Sequence, residues 1–219
     1  MKNIIKKLTD MRYLWKMIQN FYPSSLYNFL RFTNSVPLEK KILDCGAGGS
    51  NPKLAFFHEN GFETYGIDIS EDSINYSNEY CEENGIKLKI IKADMRKIPF
   101  ESNFFSFVFS YNSIFHLNKI DSGIAIKEMY RVLKKEGLCY INFLSKDDNH
   151  YGNGIEQNPG EVITIEGNGK FLHSFYDDDE PDKYCKDFEI IYKEKRHIMQ
   201  GNYFNTGRTC ILDYIVKKL

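Results

Sequence analysis

Lys41-Ile42-Leu43-Asp44-Cys45-Gly46-Ala47-Gly48-Gly49-Ser50 runs from a short apolar segment into a glycine-rich turn, and its reading decides the fold. An apolar run that ends in an acidic residue and opens at once into glycines predicts a strand whose carboxyl end meets a tight loop before a helix. Glycines at 46 and 48 remove Cβ atoms that would hold a ligand away from the backbone, and they leave main-chain amides accessible. Such a turn alone serves equally well as a plain strand-to-helix connection. Its position makes it informative, because a regular alternation of elements begins here.

Working outward, Pro52 to Asn60 reads as a helix closed by Gly61, and Phe62 to Asp68 as the second strand. Glu71 to Asn84 reads as a helix with Ser70 as N-cap and Gly85 as its stop, followed by a third strand over Lys87 to Ile91. Phe104 to Ser110 is a fourth, strongly apolar strand. Lys119 to Lys134 is a helix with Ile120, Ile124, Met129 and Leu133 inward, and Leu138 to Leu144 is a fifth strand. Strands with few polar positions, alternating with helices, imply a parallel sheet covered on both faces. Phe188 to Arg196 and Thr209 to Val216 are separated only by the Gly- and Asn-containing stretch His197 to Arg208, too short and unpatterned for a crossover helix. They are expected to pair antiparallel. The fold class is therefore α/β: a doubly wound, mostly parallel seven-stranded sheet with a final antiparallel strand.

The chain is expected to form a single domain over residues 1–219. Residues 1–37, with Ile4, Leu8, Met11, Trp15 and Ile18 at helical spacing before Pro23, form an N-terminal helical cap. Residues 146–186 form an inserted lid or substrate region, too long for an ordinary connection. Within it, Val162 to Ile165 and Phe171 to Phe175 suggest a small hairpin, and Asp177 to Cys185 a short helix.

Twenty-nine Lys and Arg balance 30 Asp and Glu, a net charge of −1, so no general field attracts a nucleic-acid backbone or an anionic membrane. No stretch is long and apolar enough to span a bilayer. The five cysteines are scattered, without a C-x-x-C pair, which argues against a disulfide framework or a metal site and for reduced thiols in a cytoplasmic protein.

Two further residues narrow the chemistry. Asp68 ends the second strand at the spacing at which an acidic side chain takes both hydroxyls of an adenosine ribose, although a strand-end aspartate can also cap the next helix. Lys92-Ala93-Asp94-Met95 follows the third strand and precedes the turn residues Pro99 to Asn103. Taken together, the glycine turn, Asp68, Asp94 and the strand Phe104 to Tyr111 resemble the class I S-adenosylmethionine-dependent methyltransferases over about residues 40–144.

That resemblance implies that Asp44, Gly46, Ala47 and Gly48 form the loop for the methionine part of S-adenosylmethionine, and that Asp68 holds the ribose. It implies that Ile69 lies against adenine, that Asp94 accepts from the adenine amino group, and that Met95 packs beside the ring. Ser110 and Tyr111, ending the fourth strand, would line the methionine moiety and the acceptor. Ser50 stands where the family often has a third glycine. A dinucleotide fingerprint beginning at Gly46 would need glycine at position 51, which is Asn51, and would leave Asp94 without a role.

The implied activity is methyl transfer from S-adenosylmethionine to a small-molecule acceptor, with S-adenosylhomocysteine as product and no metal. An in-line displacement with an activated leaving group chiefly needs orientation and exclusion of water. Where the acceptor must lose a proton, His116, His173 and Tyr111 are the candidate catalytic groups, with His150 behind them. Each histidine has an ordinary reading as a satisfied loop or strand residue. An RNA or protein methyltransferase, or a non-catalytic cofactor-binding module, are the alternatives. No nucleic-acid or membrane partner is expected, and the chain is expected to be a monomer or homodimer.

Overall fold

The computed structural model describes residues 22–166, 169–202 and 205–219. The first 21 residues, with the apolar stripe from Ile4 to Ile18, lie outside the described part, as do Tyr13 and Trp15. Of the expected cap, helix α1 (Ser24–Thr33) is described. It buries Leu26 and Phe29, and the Phe29 ring lies 5.9 Å from Phe57 and 5.7 Å from Tyr140.

The alternation then follows as β1 (Lys41–Cys45), α2 (Leu54–Glu59), β2 (Glu63–Asp68), α3 (Glu71–Asn84), β3 (Lys89–Lys92) and β4 (Phe105–Ser110). Helix α4 (Lys119–Val132) and β5 (Leu133–Ser145) complete it. These strands lie in the order β3-β2-β1-β4-β5, all parallel. Ser70 caps α3 through its Oγ, which accepts from the Ser73 amide at 3.2 Å, and Gly85 ends the helix at φ 63°.

All six residues of β4 are buried. A register shift against β5 between Phe105 and Phe107 turns Phe105 and Val108 to one face, and Phe107 and Phe109 to the other. Both layers thus gain large side chains, each contributing roughly 1.5–3 kcal/mol on burial.

Helix α4 corrects one expectation: Ile120 and Ile124 face outward, at 79% and 43% exposure. The buried face is Ser122, Ala125, Ile126, Met129 and Val132. Its rotation follows from polar anchors at its start. Asn118 Oδ1 accepts from the Asp121 amide at 2.8 Å, Glu161 Oε1 accepts from the Lys119 amide at 2.6 Å, and Tyr176 donates to Ser122 Oγ at 3.1 Å. Leu133 is buried as expected, but as the first residue of β5, which starts five residues earlier than its apolar run and passes Glu136 at φ 63°.

Strands β9 (Phe188–Asn202) and β10 (Asn205–Lys218) form the expected antiparallel hairpin, extended through much of the stretch predicted to be a loop. Strand β10 adds to β5, antiparallel, from Ile211↔Leu144 to Lys217↔Leu138. Among the described residues, β3-β2-β1-β4-β5-β10-β9 thus form seven strands, with β10 reversed, of a sheet that counts ten with the insertion.

The insertion holds three strands rather than two: β6 (Ile155–Asn158), β7 (Glu161–Glu166) and β8 (Gly169–Tyr176), antiparallel to one another. A 3-10 turn over Glu180–Tyr184 stands where a short helix was expected. Strand β8 joins the main sheet beside the end of β5, parallel, through Leu144↔Phe175 and Ser145↔Tyr176. Strand β4 pairs with β5 only as far as Ile141, so β8 takes up the edge that β4 leaves. Phe115, Leu144, Val162, Phe175 and Ile211 close this junction as a small core of their own.

Candidate active site

The glycine turn lies where β1 ends, and it is tied to β2 and α3. The amides of Gly46 and Ala47 both donate to the Ile67 carbonyl, at 2.9 and 3.0 Å. The Gly49 amide donates to the Ser73 carbonyl at 2.8 Å, and the fully buried Ser77 hydroxyl lies within 3.2 Å of the Ala47 and Gly49 carbonyls. The glycines are required by space. A Cβ on Gly46, at φ 108°, would lie 2.1 Å from Ser113 Oγ, and one on Gly48 would lie 2.4 Å from Ser73 Cβ and 2.6 Å from Asp68 Oδ2.

Asp68 closes over this turn. Its Oδ2 accepts from the Gly48 amide at 2.8 Å and its Oδ1 from the Ser70 amide at 2.9 Å, so two main-chain donors fix the carboxylate at the rim. Asp44, paired in the sheet with Phe109, is 2% exposed. Burial, with the neighbouring Asp68 charge adding to it, pushes its carboxyl well above the usual range. Lys53 lowers it in part and is itself pulled down by burial.

Asp44 Oδ1 and Ser110 Oγ are buried without a hydrogen-bond partner among the described residues. A buried polar atom left unmatched costs about 1–3 kcal/mol, so two such atoms at adjacent strand ends, beside a turn with no room for a Cβ at 46 or 48, suit a polar ligand.

A cavity of about 220 Å³ opens from the turn, lined by Gly46, Asp68, Ile69, Asp94, Met95 and His116, together with Ile67, Ala93, Ser113 and Leu117. Asp68, Ile69, Asp94, Met95 and His116, all singled out above, therefore share one space with Gly46, while Asp44, Gly48 and Ser110 lie outside its lining. Ala47 does not face it; its side chain is 1% exposed in the core beside Leu54. Ile69 is 63% exposed and forms an apolar flank.

Asp94 is already engaged. Arg96 donates to it from its amide at 2.8 Å, from Nε at 3.0 Å to both oxygens and from Nη2 at 2.6 Å, and Arg96 Nη1 reaches Asp121 Oδ2 at 2.7 Å. The guanidinium holds the Asp94 carboxyl below the usual carboxylate range. Arg96 is absent from the sequence reading because an arginine two residues past a strand end carries no pattern of its own.

His116 ends the 3-10 turn Ile114–His116, and Ser174 of β8 pins that turn by donating from Oγ to the Leu117 carbonyl at 2.7 Å. The His116 and His173 rings are 4.8 Å apart, with His116 Nδ1 3.4 Å from the Leu172 carbonyl and His173 Nδ1 3.0 Å from Thr164 Oγ1. His173 belongs to a second cavity of about 380 Å³, with Phe115, Leu144, Asp148, His150 and Phe175 among its walls. The two histidines therefore form the wall between the two spaces.

Tyr111 turns elsewhere: its ring stacks on Tyr140 at 6.5 Å in the α1 layer, and burial pushes its hydroxyl's pKa up. It lies outside the linings of both cavities.

Sequence reasoning missed Ser113, whose Oγ occupies the space opposite Gly46 and lies 3.4 Å from its carbonyl. A signal was present in Asn112, at φ 52° directly after β4, a residue type that tolerates the left-handed turn needed to bring Ser113 back over the glycines. Asn142 locks that turn, accepting from the Asn112 amide at 2.8 Å and donating to its side chain at 2.6 Å.

Residues 43–141 match the family model described as "Methyltransferase domain". The chain is 26% identical over 153 residues to a sterol 24-C-methyltransferase of Pneumocystis carinii, a match over 58% of this chain and 40% of that protein. It is 28% identical over 146 residues to a ubiquinone biosynthesis O-methyltransferase of Pelagibacter ubique, over 60% and 57% respectively. It thus spans less than two thirds of the length of these relatives. In fold it is similar to a solved SAM-dependent methyltransferase of Methanosarcina mazei, with a TM-score of 0.74 at 19% identity over 91% of this chain and 98% of the other. The stretch from β1 to β5, with its glycine turn and acidic strand ends, thus matches a methyltransferase-domain model, and the fold around it is similar to that of a solved SAM-dependent methyltransferase.

Proposed function

We propose that this chain transfers the methyl group of S-adenosylmethionine to a small-molecule acceptor. The observation that carries the reading is the glycine cradle, where a Cβ at 46 or 48 would clash at 2.1 to 2.6 Å and where Asp44 Oδ1 lies buried without a partner among the described residues. When bound, S-adenosylmethionine supplies a methyl group on a sulfonium, a leaving group that is already activated. Asp44 and Ser110, whose buried oxygens have no partner among the described residues, hold the amino-acid end, Asp68 takes the ribose hydroxyls, and Ile69, Asp94 and Met95 surround the base. The enclosed walls keep water from the reacting centre. A small acceptor is supported by cavities of about 220 and 380 Å³, and by relatives named for sterol and ubiquinone-pathway methylation.

Calorimetric titration with S-adenosylmethionine and S-adenosylhomocysteine, with NAD as control, tests this directly. Micromolar binding that Asp68→Ala abolishes is the expected result; preference for NAD, or no binding, refutes it.

A further inference from the structure

In the second cavity, His150 is paired with a carboxylate. Its Nδ1 lies 2.7 Å from Asp148 Oδ1, and the Asp148 side chain has no exposure. Main-chain donors from two distant segments fix that carboxylate: the His150 amide donates to Oδ1 at 2.8 Å and the Cys210 amide, at the start of the β10 stretch facing β5, donates to Oδ2 at 2.7 Å. An ionised carboxylate only accepts, so Nδ1 carries the proton and Nε2 is the basic nitrogen of the neutral ring. A carboxylate fixed behind an imidazole selects its tautomer and stabilises the imidazolium that forms when it takes a proton.

The rest of this cavity is mostly apolar. By exposed area the apolar share, from Phe115, Leu144, Ile165 and Phe175, is the larger, and Asp148, His150, Asn153, Thr164, His173 and Thr209 supply the polar share. It lies at the carboxyl end of β5 and adjoins the cavity beside the glycine turn where the His116 and His173 rings come within 4.8 Å. We propose that this second cavity is the acceptor site, that it takes a small, predominantly apolar molecule bearing one ionisable O–H or S–H group, and that His150 is its general base with Asp148 as the positioning residue. This rests on the methyltransferase reading above and deepens it.

In the step so defined, the acceptor's proton passes to His150 Nε2. The oxygen or sulfur lone pair forms the bond to the methyl carbon as the carbon–sulfonium bond breaks and its electron pair stays on the departing sulfur. The imidazolium then loses its proton to water across its own exposed side, since 67% of the His150 side chain faces solvent.

The test has two readouts. In the first, the cofactor-free protein is labelled with 15N at histidine. His150 should show the Nδ1–H tautomer, and adding 4-methylcatechol or 4-methylthiophenol should move its signals, while 4-methylanisole, with no ionisable proton, should not. A predominantly Nε2–H ring, or no response at His150 to either ionisable probe, overturns the proposal. In the second, S-adenosylhomocysteine release is followed with the same probes. His150→Gln should keep the wild-type affinity for S-adenosylmethionine and lose at least ~100-fold in turnover, the low end for a positioned base. Undiminished turnover in His150→Gln overturns the assignment. Failure of the wild type to bind S-adenosylmethionine at all would instead strike the parent reading, and it is seen separately in the binding titration.

Discussion

The Gly48 amide donates to Asp68 Oδ2 at 2.8 Å, and a Cβ on residue 48 would stand 2.6 Å from that same oxygen. The contact that closes the turn therefore exists only because residue 48 has no side chain. Gly48→Ala must displace either Asp68 or the first turn of α3 at Ser73. We expect the affinity for S-adenosylhomocysteine to fall at least ~10-fold, about 1.4 kcal/mol, with the far-ultraviolet circular dichroism unchanged. Calorimetric titration checks it, and wild-type affinity would show that the contact is dispensable.

Gly46 is constrained twice, by φ 108° and by Ser113, whose Oγ and Cβ would lie 2.1 and 2.4 Å from an added Cβ. Gly46→Ala should therefore both destabilise the protein and weaken cofactor binding. Because Ser113 Cβ clashes as well as its hydroxyl, Ser113→Ala should not rescue it, whereas Ser113→Gly should recover part of the loss by removing the steric component. The strain at positive φ, of order 1–2 kcal/mol, should persist in the double variant. Thermal melts of the four proteins separate the two components.

Asp44 carries a pH signature. Burial raises its folded-state carboxyl above the unfolded value, so the folded state binds that proton more tightly than the unfolded chain does. The stability cost of ionising Asp44 is absent below the ordinary carboxylate range and grows as pH rises through the window above it. Asp44→Asn should melt about 2–4 °C higher than wild type at neutral pH, the size of a roughly 1 kcal/mol change in a chain of this length, and the gap should close toward pH 4. The same variant should lose S-adenosylmethionine binding. A melting difference independent of pH would contradict the assignment.

Asp94 has the opposite sign. Arg96 depresses its folded value, so the pair contributes stability above the ordinary carboxylate range that is lost as pH falls through the folded value. With the Asp94 side chain 31% and that of Arg96 37% exposed, solvent screens the pair and the contribution should stay below ~1 kcal/mol. Arg96→Ala should cost little stability at pH 7 and nothing near pH 2. It should weaken adenosine binding several-fold, because the Asp94 carboxylate loses its three guanidinium contacts and is held only by the amide of residue 96. Titration with adenosine alone checks the second effect.

The main sheet was legible because its signals are local. The turn after Cys45, the cap at Ser70 and the stop at Gly85 each require a residue type at one position, and the spacing from Asp44 to Asp68 follows from the length of one strand–helix–strand unit. What escaped depends on distant partners. Ile120 and Ile124 look inward by periodicity, but the phase of α4 is set by Glu161 and Tyr176, more than forty residues away. Strand β6 is fully exposed and mostly polar, so it offers no alternation to read. The pairing of Asp148 with His150 is adjacent in sequence, yet its rigidity comes from Cys210, and nothing near residue 148 announces that. Tyr111 was placed correctly at the end of β4, while the direction of its ring was set by Tyr140 on the neighbouring strand.

Strand β5 hands its edge from β4 to β8 within a few residues, Ile141 pairing with Ser110 and Leu144 with Phe175. The three-stranded insertion is thus spliced into the hydrogen-bonded ladder of the main sheet, and Phe175 and Val162 are sealed in a shared core with Ile211 of β10. It cannot swing as a hinged flap without breaking that ladder and exposing that core. The stretch 146–154, which carries His150 and Asn153 into the cavity and lies outside that ladder, is then the natural place for acceptor preference to be altered without disturbing the strands behind it.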